Sequence, residues 1–213
     1  MKGGKAMKRL SLLIILLLIL GSSACGKAAP TPKPEAVTAP TLKGKSVLMI
    51  IASRDFRDEE YQKTRQFLEA RGAAIAVASS SLDVAKGMLG AQVKPDLLLK
   101  DVAVGDYNAI VFIGGMGAQE YLNNPTAHAL ARQAVEKGKI LAAICLAPAT
   151  LARAGVLAGK RATAFPSVAQ ELKAGGATYT GATVERDGLI ITAKGPEASE
   201  EFAEEIARAL EER

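Results

Sequence analysis

The chain has 213 residues and a formal net charge of +5, but that charge is unevenly placed. Residues 1–24 hold four positive charges and residues 25–45 a net three; taken from +5 these leave −2 for residues 46–213, which excludes nucleic-acid binding by charge. Two cysteines and a single histidine exclude a zinc cluster, so no metal is expected.

Residues 1–24 read as a secretory signal peptide. Lys2, Lys5, Lys8 and Arg9 make a basic start, Leu10 to Leu20 an apolar run, and the small residues "GSSA" precede Cys25. A transmembrane helix needs about 20 apolar residues, so this shorter run is expected to direct export and to be removed. Cys25 stands where a bacterial lipoprotein carries its lipidated cysteine. Ser22 occupies the place usually held by leucine, and "SSA" also suits ordinary cleavage, so a plainly secreted or periplasmic protein is the alternative. On the preferred reading, acyl chains on Cys25 hold the protein at a membrane of the bacterial cell envelope without a spanning helix. Residues 26–45 carry four prolines and no apolar periodicity, which predicts an extended tether. One domain of 168 residues, 46–213, follows.

Within that domain "SVLMIIA" (46–52) predicts a buried strand, and Asp58 to Arg71 a helix with Tyr61, Thr64, Phe67 and Leu68 on one face, closed by Gly72. A strand "AIAVAS" (74–79) follows, then an irregular stretch over 80–106. "AIVFI" (109–113) is a second fully apolar strand that ends in "GGMG"; a helix opens at Asn124 and Pro125, and "KILAAI" (139–144) returns to the sheet. A short strand is expected near "ATAF" (162–165), a hairpin around Asp187-Gly188, and a last helix from Pro196 with Phe202, Ile206 and Leu210 facing inward. Repeated strand-helix-strand units predict an α/β fold, a mainly parallel sheet with helices on both faces.

Cys145 follows the central strand directly and precedes a helix with Pro148 in its first turn. It has no disulfide partner in the domain, although export would permit one. Such a thiol is either buried and inert or kept because it reacts. Ala143 and Ala147, two positions either side, are the small residues that a tight strand-to-helix elbow demands, and this favours reactivity. A helix N-terminus is expected to stabilise thiolate and lower the thiol pKa. The loops after three strands, 53–60, 114–117 and Cys145, should converge at the C-terminal strand ends, where parallel sheets collect ligands. "GGMGAQE" is no dinucleotide loop, because Glu120 stands where a third glycine is required, and no cofactor is expected.

"FRDEEYQKTRQFLEARGAAIAVAS", "FIGGMGAQEY", "AAICLAPATLARAGVL" and "ATYTGATVERDGLIITAKGP", in that order, resemble the ThiJ/PfpI family over essentially all of 46–212. The resemblance implies a flavodoxin-like, doubly wound domain with an elbow nucleophile at Cys145 and an acidic partner at Glu60. It further implies an oxyanion-binding pair of backbone N–H groups at Gly115 and Leu146. Family members commonly pair as homodimers, so the resemblance also implies a homodimer. Two departures bear on mechanism. Leu146 stands where the peptidase branch has a histidine, and Phe165 where the deglycase branch has one. A cysteine peptidase needs a base for the thiol and an acid for the leaving amine, so peptidase activity is not expected. His128 reads as a surface residue of another helix.

What remains is a Cys-Glu pair, in which Glu60 is expected to be protonated while Cys145 is thiolate. The simplest alternative for Glu60 is an acid complementing the helix dipole, which Asp58 and Glu59 already do. The pair suits glyoxalase- or deglycase-like addition to a small electrophilic dicarbonyl or its adducts. It equally suits controlled oxidation to sulfinate, which would make the protein a non-enzymatic redox sensor or stress holdase.

Overall fold

Successive side chains of an extended strand point to opposite faces, so a strand that is apolar at every position must be covered on both. The computed structural model describes residues 41–213 and has that arrangement; the expected signal peptide, most of the proline-rich segment and Cys25 lie outside the described residues. Strand β1 (Ser46–Ile50) sends Val47 and Met49 into one hydrophobic core, Leu48 and Ile50 into the other.

After β1 come β2 (Arg54–Phe56), α1 (Asp58–Ala70), β3 (Ala74–Ser79), β4 (Ala85–Gly87), β5 (Gln92–Val93), β6 (Leu97–Leu98) and β7 (Ala109–Phe112). Then follow α2 (Pro125–Glu136), β8 (Ile140–Ile144), α3 (Pro148–Arg153), β9 (Arg161–Ala162), α4 (Ala169–Ala174) and β10 (Thr178–Tyr179). The chain ends with β11 (Val184–Asp187), β12 (Ile190–Ala193) and α5 (Ser199–Glu211). Seven strands form the main sheet in the order β11-β12-β8-β7-β1-β3-β6. Every pairing is parallel except β11 with β12, the hairpin at one edge. Helices α1 and α5 cover one face through Tyr61, Leu68, Phe202, Ile206 and Leu210. Helices α2, α3 and α4 cover the other through Leu130, Leu151 and Leu172. This is the doubly wound, flavodoxin-like α/β fold predicted above.

Strand order explains where a site belongs. From β1 the chain works outward through β3 and β6, then returns to the other side of β1 with β7 and continues to β8 and β12. The reversal between β1 and β7 leaves a crevice at the C-terminal strand ends, because connecting segments diverge there to opposite faces.

Several boundaries differ from expectation. Residues 41–45 belong to the domain rather than to a tether: Leu42 is fully buried, its N–H donating to Arg71 O at 2.8 Å. The stretch 80–106 contains the β4-β5 hairpin and β6, whose two- and three-residue strands are too short for an alternating pattern. The strand near 162–165 covers only Arg161–Ala162.

Candidate active site

The crevice is lined by the segments after β1, β7 and β8. At the end of β8 the backbone must leave the sheet abruptly, and Cys145 takes the bend with a φ of +63°. A left-handed conformation costs a residue with a Cβ roughly 1–2 kcal/mol. Two backbone bonds hold it there: Cys145 N–H donates to Ala193 O at 3.0 Å, and Cys145 O accepts from Phe165 N–H at 2.9 Å. The thiol residue ends up 8% exposed.

Glu60 reaches the same point from the first turn of α1 and has no exposed surface. Its Oε2 accepts the Gly114 N–H at 2.9 Å; its Oε1 has no hydrogen-bond partner among the described residues that meets ordinary geometry, and the carboxyl interacts with the Cys145 thiol. Position 114 must be glycine for this approach. A Cβ there would lie 2.6 Å from Cys145 Cβ and 2.7 Å from Glu60 Oε2. Gly115, with φ +98°, leaves no room either: its Cβ would sit 2.4 Å from both Arg57 N and Asp55 O. The N–H groups of Gly115 and Leu146 face the Cys145 sulfur and favour its ionised form.

Burial pushes the Glu60 carboxyl up to about 8, a rise that the Cys145 thiol, the Gly114 N–H and the Arg57 charge only partly offset. Glu60 is therefore mostly protonated at neutral pH. The thiol does not follow the expectation of a lowered pKa. Burial, and then the charge of ionised Glu60, push Cys145 up to about 12 against the pull of the Gly115 and Leu146 N–H groups. The reason is geometric: Cys145 is enclosed, and the short α3 starts three residues later, so little helix dipole reaches the sulfur. At neutral pH the repulsion is relieved, because Glu60 keeps its proton. Two N–H groups face the sulfur and one faces the carboxyl, and the two groups titrate as a coupled pair in which ionising one opposes ionising the other.

The structure thus brings together Cys145, Glu60 and the N–H groups of Gly115 and Leu146. His128 is elsewhere: half-buried on α2, its Nε2 lies 2.8 Å from Leu122 O, an acceptor only, so that nitrogen carries the proton. Phe165, 41% exposed, contributes its backbone rather than an imidazole. Among the described residues no cluster of three or more His, Cys, Asp or Glu could hold a metal ion. Sequence reasoning missed two groups. Gly114, the first glycine of "GGMG", has the N–H that holds Glu60, and the doubled glycine after a strand was its signal. Asp58, read as a dipole complement, is 4% exposed and accepts backbone N–H groups from Leu89 and Ala91, which nothing in the local sequence announces.

Known proteins resemble this chain in sequence and fold. An uncharacterized protein of Methanocaldococcus jannaschii is 39% identical over 208 residues, 96% of this chain and 98% of its own length. A Caenorhabditis elegans protein named a glutathione-independent glyoxalase is 32% identical over 167 residues, 78% of this chain and 89% of its own. The crystal structure of a ThiJ/PfpI domain protein from Brachyspira murdochii superposes with a TM-score of 0.79 at 28% identity, covering 80% of this chain and 99% of that one. A model of the DJ-1/PfpI family matches residues 45–209, from the strand that founds the sheet to the helix that closes it, and the chain belongs to that family.

Proposed function

We propose that the protein is a cofactor-independent cysteine enzyme of glyoxalase or deglycase type, acting on small dicarbonyls or their adducts. We also propose that it is exported and held at a membrane through Cys25. The observation that carries the first reading is a left-handed cysteine, φ +63°, beside a fully buried glutamate that retains its proton. Strain concentrated at one nucleophilic residue is a mark of a working site. The glyoxalase name of the C. elegans relative supports the same chemistry.

With methylglyoxal, and with the Cys-Glu pair carrying one proton, the Cys145 sulfur adds to the aldehyde carbon as that proton passes through Glu60 to the carbonyl oxygen. Glu60, now carboxylate, takes the proton from that carbon and returns it to the neighbouring one, while the hydroxyl proton shifts to the second oxygen. The product is a lactoyl thioester, with no net change of oxidation state. Water cleaves it to lactate, and the proton released restores the Cys-Glu pair. Gly115 and Leu146 N–H groups stabilise charge developing at the reacting centre. Leu146 and Phe165 in place of histidines speak against peptide hydrolysis.

Incubating the purified protein with methylglyoxal should yield lactate, and Cys145→Ser should reduce the rate to the uncatalysed level. Equal rates for parent and variant would end the enzyme reading. The absence of an imidazole from the site among the described residues favours one second reading, a redox sensor. In that case two equivalents of peroxide, each giving up one oxygen and leaving as water, should add two oxygens at Cys145, and Glu60→Leu should abolish that selectivity in the intact mass.

A further inference from the structure

The chemistry above leaves the buried acid next to the site, Asp58, unused. Asp58 Oδ2 accepts the Leu89 N–H at 2.8 Å and Oδ1 the Ala91 N–H at 2.7 Å, which joins the start of α1 to the turn of the β4-β5 hairpin. Gly87 is a necessary part of the joint, because a Cβ there would lie 2.4 Å from Asp58 Oδ1.

The hairpin holds β2 in turn. Strands β2 and β4 pair in parallel, Lys86 N–H donates to Ser53 O at 3.2 Å, and Met88 N–H donates to Phe56 O at 2.9 Å. The end of β2 then meets the glycines of the site. Arg57 N–H donates to Gly114 O at 3.0 Å, and Gly115 packs so closely on Asp55 O and Arg57 N that no Cβ fits between them. From this one pair of glycines, one N–H serves Glu60 and the next serves Cys145.

We propose that Asp58 is a positioning residue for the thiol: by fixing the β4-β5 hairpin against β2, it holds the Gly114–Gly115 backbone with one N–H directed at Glu60 and the next at Cys145. Asp58 hydrogen-bonds to neither of those side chains and acts through the backbone. The inference rests on Cys145 being the reacting group, but it can be read from the thiol itself, without turnover. The titratable group acting on Cys145 is Glu60, and the charges acting on Glu60 besides are Arg57 and Glu59.

The test follows iodoacetamide alkylation of the Cys145 peptide by mass spectrometry across pH, in the full chain, well below its unfolding temperature. Asp58→Asn presents an amide donor to a backbone donor and breaks at least one bond. Gly87→Ala forces the same joint apart while leaving the Asp58 charge in place. Both should slow alkylation at neutral pH about tenfold and move its pH profile upward by about one unit, the loss expected when a thiolate gives up an N–H partner. Arg186→Ala, a change at the far sheet edge, should leave the profile where it was. If Asp58→Asn and Gly87→Ala lower the melting temperature but their profiles overlay the parent's, Asp58 is only a strut and the proposal fails. Should Asp58→Asn not fold, Gly87→Ala decides alone. A parent Cys145 that does not alkylate in the folded protein would overturn the enzyme reading, and this inference with it; a reactive parent with unmoved variants would overturn this inference alone.

Discussion

A carboxyl with no exposed surface and a single backbone N–H for a partner keeps its proton far beyond the pH at which a free glutamate releases it. Glu60 releases its proton near 4.5 in the unfolded chain and at about 8 in the folded one. Between those values the folded state binds the extra proton. Its stabilising share is therefore complete below about 4.5 and declines as pH rises toward about 8, by at most about 1.4 kcal/mol per pH unit. Urea unfolding of the parent and of Glu60→Gln over that range should show the parent losing stability relative to the variant as pH rises; parallel curves would mean that Glu60 titrates normally. If Glu60 moves protons in turnover, the same substitution should lower kcat on methylglyoxal by roughly 10²–10⁴. The identities of both partners were legible in the sequence, Cys145 from its place after an apolar strand and Glu60 from the resemblance. The thiol's environment was not. How far a side chain is enclosed, and which N–H groups face it, depends on segments tens of residues away.

At the scale of elements, local chemistry predicted best where it was self-contained. Asn124 caps α2, its Oδ1 accepting from Thr126 N–H at 2.9 Å and Ala127 N–H at 3.1 Å, with Pro125 in the first position. Both features were visible in "NNPTAH", and the helix begins where they said. Asn124→Ala should cost about 1 kcal/mol in thermal or denaturant unfolding and leave Cys145 alkylation unchanged, because α2 packs on the face away from α1. Elements held by distant partners were invisible. Leu42 is anchored by Arg71, and the β4-β5 hairpin by Asp58 and β2; neither has an internal period for a sequence reading to find. The six-residue α3 begins at Pro148, the first-turn proline that the sequence pointed to, after the left-handed bend at Cys145.

For the domain as a whole, the two hydrophobic cores share the same strands, since Val47 and Met49 face one while Leu48 and Ile50 face the other. Neither core can come apart without stripping one side of the sheet. Phe202→Ala, which empties a fully buried site under α5, should cost about 3–5 kcal/mol. Circular dichroism and Cys145 alkylation should still report one coincident transition; separate midpoints would show that the faces unfold independently. The overall layout was the most legible level, because fully apolar strands alternating with amphipathic helices leave few arrangements other than a covered parallel sheet.

The two bonds that bend the backbone at Cys145 come from Phe165 and Ala193, both later in the chain. Followed in the order of synthesis, the cysteine is made first and shaped last. A nascent polypeptide that has completed β8 but not β12 bears this thiol as an ordinary strand-end residue, and the sulfur acquires its pose only once residue 193 has docked. The bend at the elbow is thereby deferred until the last strand of the sheet is in place.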